Sequence, residues 1–340
     1  MGDSAGPAAD PALLEAAAGG DEDAFRRLVE PHRAELHAHC YRMLGSLHDA
    51  EDALQETLLR AWRALSRFGG RRLLRPWLYR IATNVCLNAL ERRPQRRLPV
   101  GQGRPAPPGA EPSEPLAESV WIEPYPDDTV GLDDGYAAPE ARYEQREAVE
   151  LAFIVALQHL PATQRAVLIL RDVLGFSARE AAEALETTAA AVNSALQRAR
   201  RAVEERLPAR SQQATLHALG DAQVRALVER YIAAWERGDV DAIAEMLAED
   251  ATFAMPPYDV WWRGRGVIAA FATAPVHRYL AVRANGQPAN ATYRWDPGRG
   301  CYVAEAIEVL TLDGSRITQM TAFMAPDLFG RFGLPATLPR

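Results

Sequence analysis

Residues Ser177–Arg201 read SAREAAEALETTAAAVNSALQRARR, and this stretch decides the class of the chain. Ser177 followed three residues later by Glu180 is a capping-box start. Ala181, Ala182 and Leu185 keep one face of the first helix small and apolar. Glu186-Thr187-Thr188 breaks the pattern and supplies a second N-cap, Thr188. Val192, Leu196 and Ala199 then fall at i, i+4 and i+7, one buried stripe. Asn193, Ser194, Gln197, Arg198 and Arg201 are left facing outwards. Short polar side chains near a helix start, followed by guanidinium groups, suit base edges and phosphates in a DNA major groove. An ordinary solvated helix pair stays open on this segment alone.

The whole chain has 340 residues, enough for two or three domains, and a net charge of -7. Its charge is segregated. Every basic residue is arginine, and arginines crowd together between Arg60 and Arg97 with Glu91 as the only acid among them. Such a run is the electrostatic footprint of a polyanion partner. Cys40, Cys86 and Cys301 form no CxxC, so neither a disulfide framework nor a zinc ribbon is expected. His37, His39 and Cys40 are the only metal-like group, and neighbours two apart on a helix point to different faces. No metal and no cofactor is therefore expected. No signal peptide opens the chain, and the longest apolar run, Leu151–Leu157, is too short to span a bilayer. A reducing cytoplasm fits, with no membrane partner.

Composition separates four segments. Residues 10–93 read as helical throughout, with caps such as Asp21 and Asp49. Residues 94–139 form an acidic linker rich in Pro and Gly that cannot bury much. Within it WIEPYPD (Trp121–Asp127) strands two large aromatics, Trp121 and Tyr125, which suggests a docking point that could serve regulation. Residues 140–208 are helical again and end in the helix-turn-helix. Residues 220–335 change character: helices over Asp221–Arg237 and Val240–Leu247 precede β-type runs at Ala251–Met255, Arg278–Ala284, Ala291–Trp295, Tyr302–Leu310 and Arg316–Ala322. Helices followed by an antiparallel meander read as α+β.

Asp49–Phe68, DAEDALQETLLRAWRALSRF, carries two stripes. Leu54, Leu58, Ala61, Trp62 and Leu65 make a core stripe. Asp52, Gln55, Glu56, Leu59 and Arg63 make a second, polar and acid-rich with one leucine at its centre, which looks like an interface. A solvated helix with Asp49 as cap and a Glu56–Arg60 pair explains the same residues equally well.

DAEDALQETLLRAW closely resembles region 2.2 of the sigma-70 family of RNA polymerase sigma factors. RPWLYRIATNVCLNALERR (Arg75–Arg93) is similar to regions 2.3–2.4, and Leu160–Arg201 to region 4. Two sigma domains with no region 3 between them match the extracytoplasmic-function (ECF) group, and the resemblance covers most of residues 10–207. It implies two all-α sigma domains, with core RNA polymerase and promoter DNA as partners. Asp52, Gln55, Glu56, Leu59 and Arg63 would bind the polymerase. Arg71, Arg72, Arg75, Trp77, Arg80, Asn84 and Asn88 would melt and read the −10 element. Thr188, Asn193, Ser194, Gln197, Arg198 and Arg201 would read the −35 element. Opening a duplex calls for cations plus flat side chains that replace base stacking, which the arginines with Trp77 and Tyr79 offer. Trp77 and Ile81 also stand four apart, the spacing of a core anchor. The loop Gly69–Leu74 departs from the family in carrying leucines where small polar residues are usual.

Residues 220–335 resemble, more loosely, the SnoaL-like branch of the NTF2-like fold, an α+β cone with a pocket. MAPDLFGRFGLP (Met324–Pro335) looks like its closing segment. Pocket candidates are Trp235, Met255, Tyr258, Trp261, Trp262, His277, Tyr293 and Phe323, with Asp259 and His277 the only plausible acid–base pair. Such a pocket suits a small-molecule ligand, a catalytic role or an intramolecular regulator, and the fold alone does not choose. The favoured reading is a sigma factor, not itself an enzyme, regulated by its fused domain. The alternatives are a helix-turn-helix regulator of another kind, or a small-molecule isomerase or cyclase with a DNA-binding appendage.

Overall fold

A computed structural model describes residues 10–68, 73–92, 95–112, 114–117, 120–130, 147–272 and 276–340. It divides into two compact units. The first comprises residues 1–96 and 152–207, the second residues 97–151 and 208–340. The chain therefore crosses from one unit to the other three times. Among the described residues no helix is long and apolar enough to cross a membrane.

The described residues of the first unit form helices and their connections. Its amino-terminal part holds α1 (Pro11–Ala18), α2 (Glu22–Val29), α3 (Arg33–Leu44), α4 (Leu47–Ala64) and α5 (Leu74–Leu90). Asp21 caps α2 as expected. Asp49 does not cap α4: the helix begins earlier, on Ser46, whose hydroxyl accepts from the Asp49 N–H. The Asp49 carboxylate instead accepts from Arg96 at 2.7 Å. Leu54, Ala61 and Leu65 are buried as the core stripe requires, and Trp62 packs on Phe25 with ring centroids 5.1 Å apart. The second helical part holds α6 (Leu151–Gln158), α7 (Ala162–Leu168), α8 (Ala178–Ala184) and α9 (Ala189–Glu204).

Tertiary packing consumes the metal-like cluster. His39 is fully buried with Nε2 3.0 Å from the Thr83 hydroxyl, and burial pulls its pKa down to about 3, so the ring stays neutral. Cys40 and Cys86, distant in sequence, meet in the core, where their hydrogen bond and burial push the Cys86 thiol up. Among the described residues no group of His, Cys, Asp and Glu could hold a metal.

The second unit packs α10 (Gln212–Leu219), α11 (Asp221–Arg237), α12 (Val240–Met246) and α13 (Arg265–Ala269) with a seven-stranded sheet. The strands are β1 (Leu247–Ala254), β2 (Trp261–Arg263), β3 (His277–Ala284), β4 (Gln287–Asp296), β5 (Cys301–Asp313), β6 (Arg316–Phe323) and β7 (Thr337–Leu338). Their order is β2-β1-β6-β5-β4-β3, with β7 on β5. The meander β3–β6 is antiparallel as expected, but β1 lies parallel to β6. Bulges at Thr292/Tyr293 and Thr311/Leu312 interrupt the ladders, the device by which a strand bends. Val224, Leu227 and Tyr231 of α11 cover a sheet face formed by Phe253, Trp262, Leu310 and Met320.

Candidate nucleic-acid interface and the docked linker

The helix-turn-helix forms as its caps dictate. Ser177 and Glu180 complete a reciprocal capping box, and the Thr188 hydroxyl accepts from the Ala191 N–H at 3.1 Å. Between the helices Glu186 takes a left-handed conformation, φ 52°, uncommon for a residue with a Cβ. Val192, Leu196 and Ala199 are buried, while Asn193, Ser194, Gln197, Arg198 and Arg201 are exposed on one face. The Thr188 hydroxyl is engaged in its cap. A base contact from Gln197 would contribute about 1–3 kcal/mol of discrimination, whereas an arginine on phosphate would add affinity alone. Gln197→Ala is therefore expected to change which −35 bases are tolerated, and Arg201→Ala to lower the salt slope of binding by about one. Binding titrations on a panel of −35 variants at several salt concentrations check both; equal losses on every variant from both changes would defeat the assignment.

Helix α5 presents a face already engaged within its own unit. Arg75 donates to Glu35 Oε2 at 3.0 and 3.1 Å, and Tyr79 donates to the same oxygen at 3.0 Å. Burial opposes the Glu35 charge, but bonds from His32, Arg75 and Tyr79 and the Arg75 charge outweigh it, lowering its pKa to about 2. Tyr79 is fully buried, which corrects its expected part in base stacking. Trp77 is half-buried against Phe68, centroids 4.6 Å apart, close to the core-anchor expectation. Arg80 pairs with Glu186 of the helix-turn-helix at 2.6 Å, and Arg75 lies 5.5 Å from the Phe176 ring. Leu73, Trp77 and Arg80 line a groove whose other wall is Arg179, Glu180 and Glu183 of α8. Glu186 of the helix-turn-helix thus pairs with Arg80 of α5, while Arg75 is held by Glu35 of its own part. Asn84 is half-buried and Asn88 exposed; Arg71 and Arg72 lie outside the described residues.

On α4, Asp52, Gln55, Leu59 and Arg63 are exposed and Glu56 is half-exposed, paired with Arg60 at 2.6 Å. Leu59 is 42% exposed, one of the few large apolar side chains left in solvent among the described residues. The stripe is therefore a contiguous exposed band with an apolar centre.

The linker aromatics find their partners in the second unit. Trp121 and Tyr125 are buried, together with Ile122 and Asp127, so the expectation that this segment buries little fails. The dock is the tip of the β3–β4 hairpin, an Asn285-Gly286 turn with φ 57° and 68°. The Tyr125 N–H donates to Asn285 Oδ1 at 2.9 Å, and the Asn285 N–H returns a bond to the Tyr125 carbonyl at 2.8 Å. Asn285 Nδ2 donates to the Val149 carbonyl. The Asp127 carboxylate accepts from the Gly286 N–H at 2.8 Å and pairs with Arg283 at 3.1 Å. Arg97 stacks over the Trp121 ring and reaches Asp259 at 3.4 Å. Sequence reasoning did not single out Asn285, Asp127 or Arg283, although Asn-Gly between two strand-like runs is a strong hairpin signal.

The expected pocket set does not converge. Trp235, Met255 and Trp262 belong to the helix-covered face of the sheet. Phe323 alternates with Ala322 and so lies on the reverse face, and Tyr293 packs edge-on against Phe329, its hydroxyl donating to the Pro335 carbonyl. Tyr258 sits in a turn closed by its N–H to the Met255 carbonyl. Trp261 carries linker contacts, its carbonyl accepting from the Ala106 N–H. Asp259 and His277 are not a pair: Asp259 binds Arg97, while His277 Nε2 lies 3.1 Å from Glu305. Strand pairing separates by face what composition alone groups together.

A helical unit ending in a helix-turn-helix, with an α+β unit in the same chain, is the architecture of a sigma-70-type factor with a fused SnoaL-like domain, and family models match each part. Sigma-70 region 2 covers residues 28–96, Sigma-70 region 4 residues 150–203, and the SnoaL-like domain residues 228–320. The ECF RNA polymerase sigma factor SigG of Mycobacterium tuberculosis is 44% identical over 324 residues, 92% of this chain and 85% of the relative. The RNA polymerase sigma factor NccH of Alcaligenes xylosoxydans xylosoxydans is 34% identical over 57% of this chain and 92% of its own. The crystal structure of the M. tuberculosis extracytoplasmic function sigma factor SigJ shares the fold, with a TM-score of 0.54 and 23% identity over 90% of this chain and 98% of that one. The chain belongs to the ECF RNA polymerase sigma factors.

Proposed function

We propose that this protein binds core RNA polymerase through the α4 stripe, reads the −35 element with α9 and melts the −10 element with α5. It works in the cytoplasm and supplies recognition, not catalysis. The observation that carries the reading is the clean division of α9 into a buried apolar stripe and an exposed Asn/Gln/Arg face, alongside a second, arginine-bearing helix. Glu186, paired with Arg80, and Glu180 and Glu183 of α8, which share a groove with Arg80, support a resting state in which the −10 face is covered by region 4. Opening that pair is the step to be regulated. The second unit holds the linker that joins the two readers, so a change there alters how far they can part. Promoter-dependent run-off transcription with purified core polymerase tests the reading; no transcript from any −35/−10 promoter in the presence of this protein would sink it.

The polymerase contact has its own test. Leu59→Ala with Gln55→Ala removes the apolar centre of an exposed stripe without touching the core, so helicity stays. If the stripe is an interface hot spot, core affinity falls about tenfold or more. Unchanged co-purification with core subunits would mean that the stripe is merely solvated.

A further inference from the structure

The two parts of the helical unit enclose a cavity of about 280 Å³ that promoter reading does not use. Leu44, Asp49, Leu90 and Arg96 wall it from the amino-terminal part, His159, Leu160 and Arg165 from the second. Asp49 and Arg96, both nearly buried, pair at 2.7 Å, so their charges cancel. Arg165 is buried too, yet every acceptor it reaches is neutral. Its terminal nitrogens donate to the Met43, Gln158 and Leu160 carbonyls and to the Gln158 side-chain amide. The Nε–H is buried with no partner among the described residues. Arginine is seldom buried without an acid, because the charge gives up its hydration and meets only dipoles in return. One positive charge in the cavity wall is thus left without a counter-charge.

The entrance agrees with that balance. His159 lines the cavity and is exposed. Gln95 Nε2 donates to the Gln158 carbonyl at 2.8 Å, and a carbonyl only accepts, so the amide orientation is fixed. The same Nε2 lies 3.2 Å from His159 Nδ1, which therefore accepts and leaves the ring proton on Nε2. Partial burial and the charges of Arg206 and Arg165 hold the His159 pKa below its usual value, so the ring is neutral near pH 7. His159 offers a donor, not an acceptor, to whatever enters. The other walls include Leu44, Leu90, Leu160 and Pro161, a poor surface for a strongly hydrated dianion. A cavity of about 150 Å³ holds benzene. The 280 Å³ here therefore takes one ring and one polar group, and is too small for a nucleotide.

We propose that this cavity binds a small organic carboxylate, its apolar body against the leucines and its charge supplying the counter-ion that Arg165 lacks. The cavity exists only while the two helical parts meet, so an occupant stabilises their closed arrangement by mass action. The site goes beyond the promoter reading, and its measurement needs neither polymerase nor DNA; only the effect of closure on −10 binding rests on that reading.

Calorimetric titration of the full-length chain with benzoate, benzamide and inorganic phosphate tests the site. Benzamide has the shape of benzoate without its charge, and phosphate has charge without an apolar body. Benzoate is expected to bind saturably and about tenfold or more tightly than benzamide, the difference between a charge-assisted contact and a neutral one. Phosphate at equal concentration should not displace it. Ala162→Leu fills the cavity without touching Arg165, so benzoate binding should be lost while dichroism and scattering stay unchanged. The comparison of probes on the unaltered chain stands even if that variant fails to fold. No benzoate binding, equal affinity for benzamide, displacement by phosphate, or a folded Ala162→Leu that binds benzoate as before overturns the proposal. Failure of the promoter reading would show separately, in run-off transcription.

Discussion

Replacing Arg165 with methionine is expected to part region 4 from region 2 and to raise −10 strand binding by up to about a hundredfold. Arg165 of α7 is buried, and burial lowers its pKa to about 10 without neutralising it. Its guanidinium is held by carbonyls and an amide on both sides of the helical unit. It donates to the Met43 carbonyl at the end of α3, to Gln158 Oε1 at 2.6 Å and to the Gln158 carbonyl at 3.0 Å. Methionine fills similar volume but leaves those acceptors bare, at about 1–3 kcal/mol each. Only the Met43 bond crosses from one part to the other, so its share of the penalty falls on the closed arrangement, because water satisfies that carbonyl once the halves separate; the Gln158 bonds lie within α6 and α7. Small-angle scattering should show an expanded chain, anisotropy with a −10 single strand should show tighter binding, and far-ultraviolet dichroism should show the helices retained. Retained helicity with unchanged scattering and unchanged DNA affinity would mean that the clamp does not control opening.

The second large effect is expected at Trp121. Truncating a buried tryptophan to alanine costs about 3–5 kcal/mol, so this change is not a silent surface substitution. The cost is local. Trp121 belongs to a segment held to the hairpin tip by a few bonds through Asn285 and Asp127, whereas the main core of the unit lies between α11 and the sheet. The linker should therefore detach while the sheet stays folded. Limited proteolysis is expected to cut within residues 97–130 of Trp121→Ala and to leave a resistant fragment beginning near α10. Transcription should change as strongly as when residues 220–340 are deleted. A variant that transcribes like wild type while the deletion does not would remove the linker from the coupling.

The helices were legible because their signals are local. Ser177, Glu180, Thr188 and the Val192/Leu196/Ala199 stripe act within a turn or two of one another, and the structure places all of them as read. The strands β3 to β6 were legible for the same reason, whereas β2 and β7, only three and two residues long, carry no period to detect. The parallel pairing of β1 with β6 was hidden, since it depends on contacts between residues some seventy positions apart. The bond between Tyr231 and Glu308 escaped for that reason too: 77 positions separate the two, and Glu308 sits inside a run that reads as plain strand. The linker misled in the other direction. Its Pro, Gly and acidic residues say open chain, yet a handful of side chains, Trp121, Ile122, Tyr125 and Asp127, suffice to bind it to a surface that other segments build.

That shared ownership of the linker has a consequence for how the protein is made. On the ribosome, residues 97–130 emerge long before Asn285 and the strands that receive them, while the helices on either side can begin to form at once. Trp121, Ile122 and Tyr125 must wait in water until translation is nearly finished. A stop codon anywhere before β4 would leave those three side chains with no landing place at all. Heredity inherits the constraint as well: the fused domain cannot be shed by a simple truncation, because the part of it that lies between the two DNA-reading halves would stay behind.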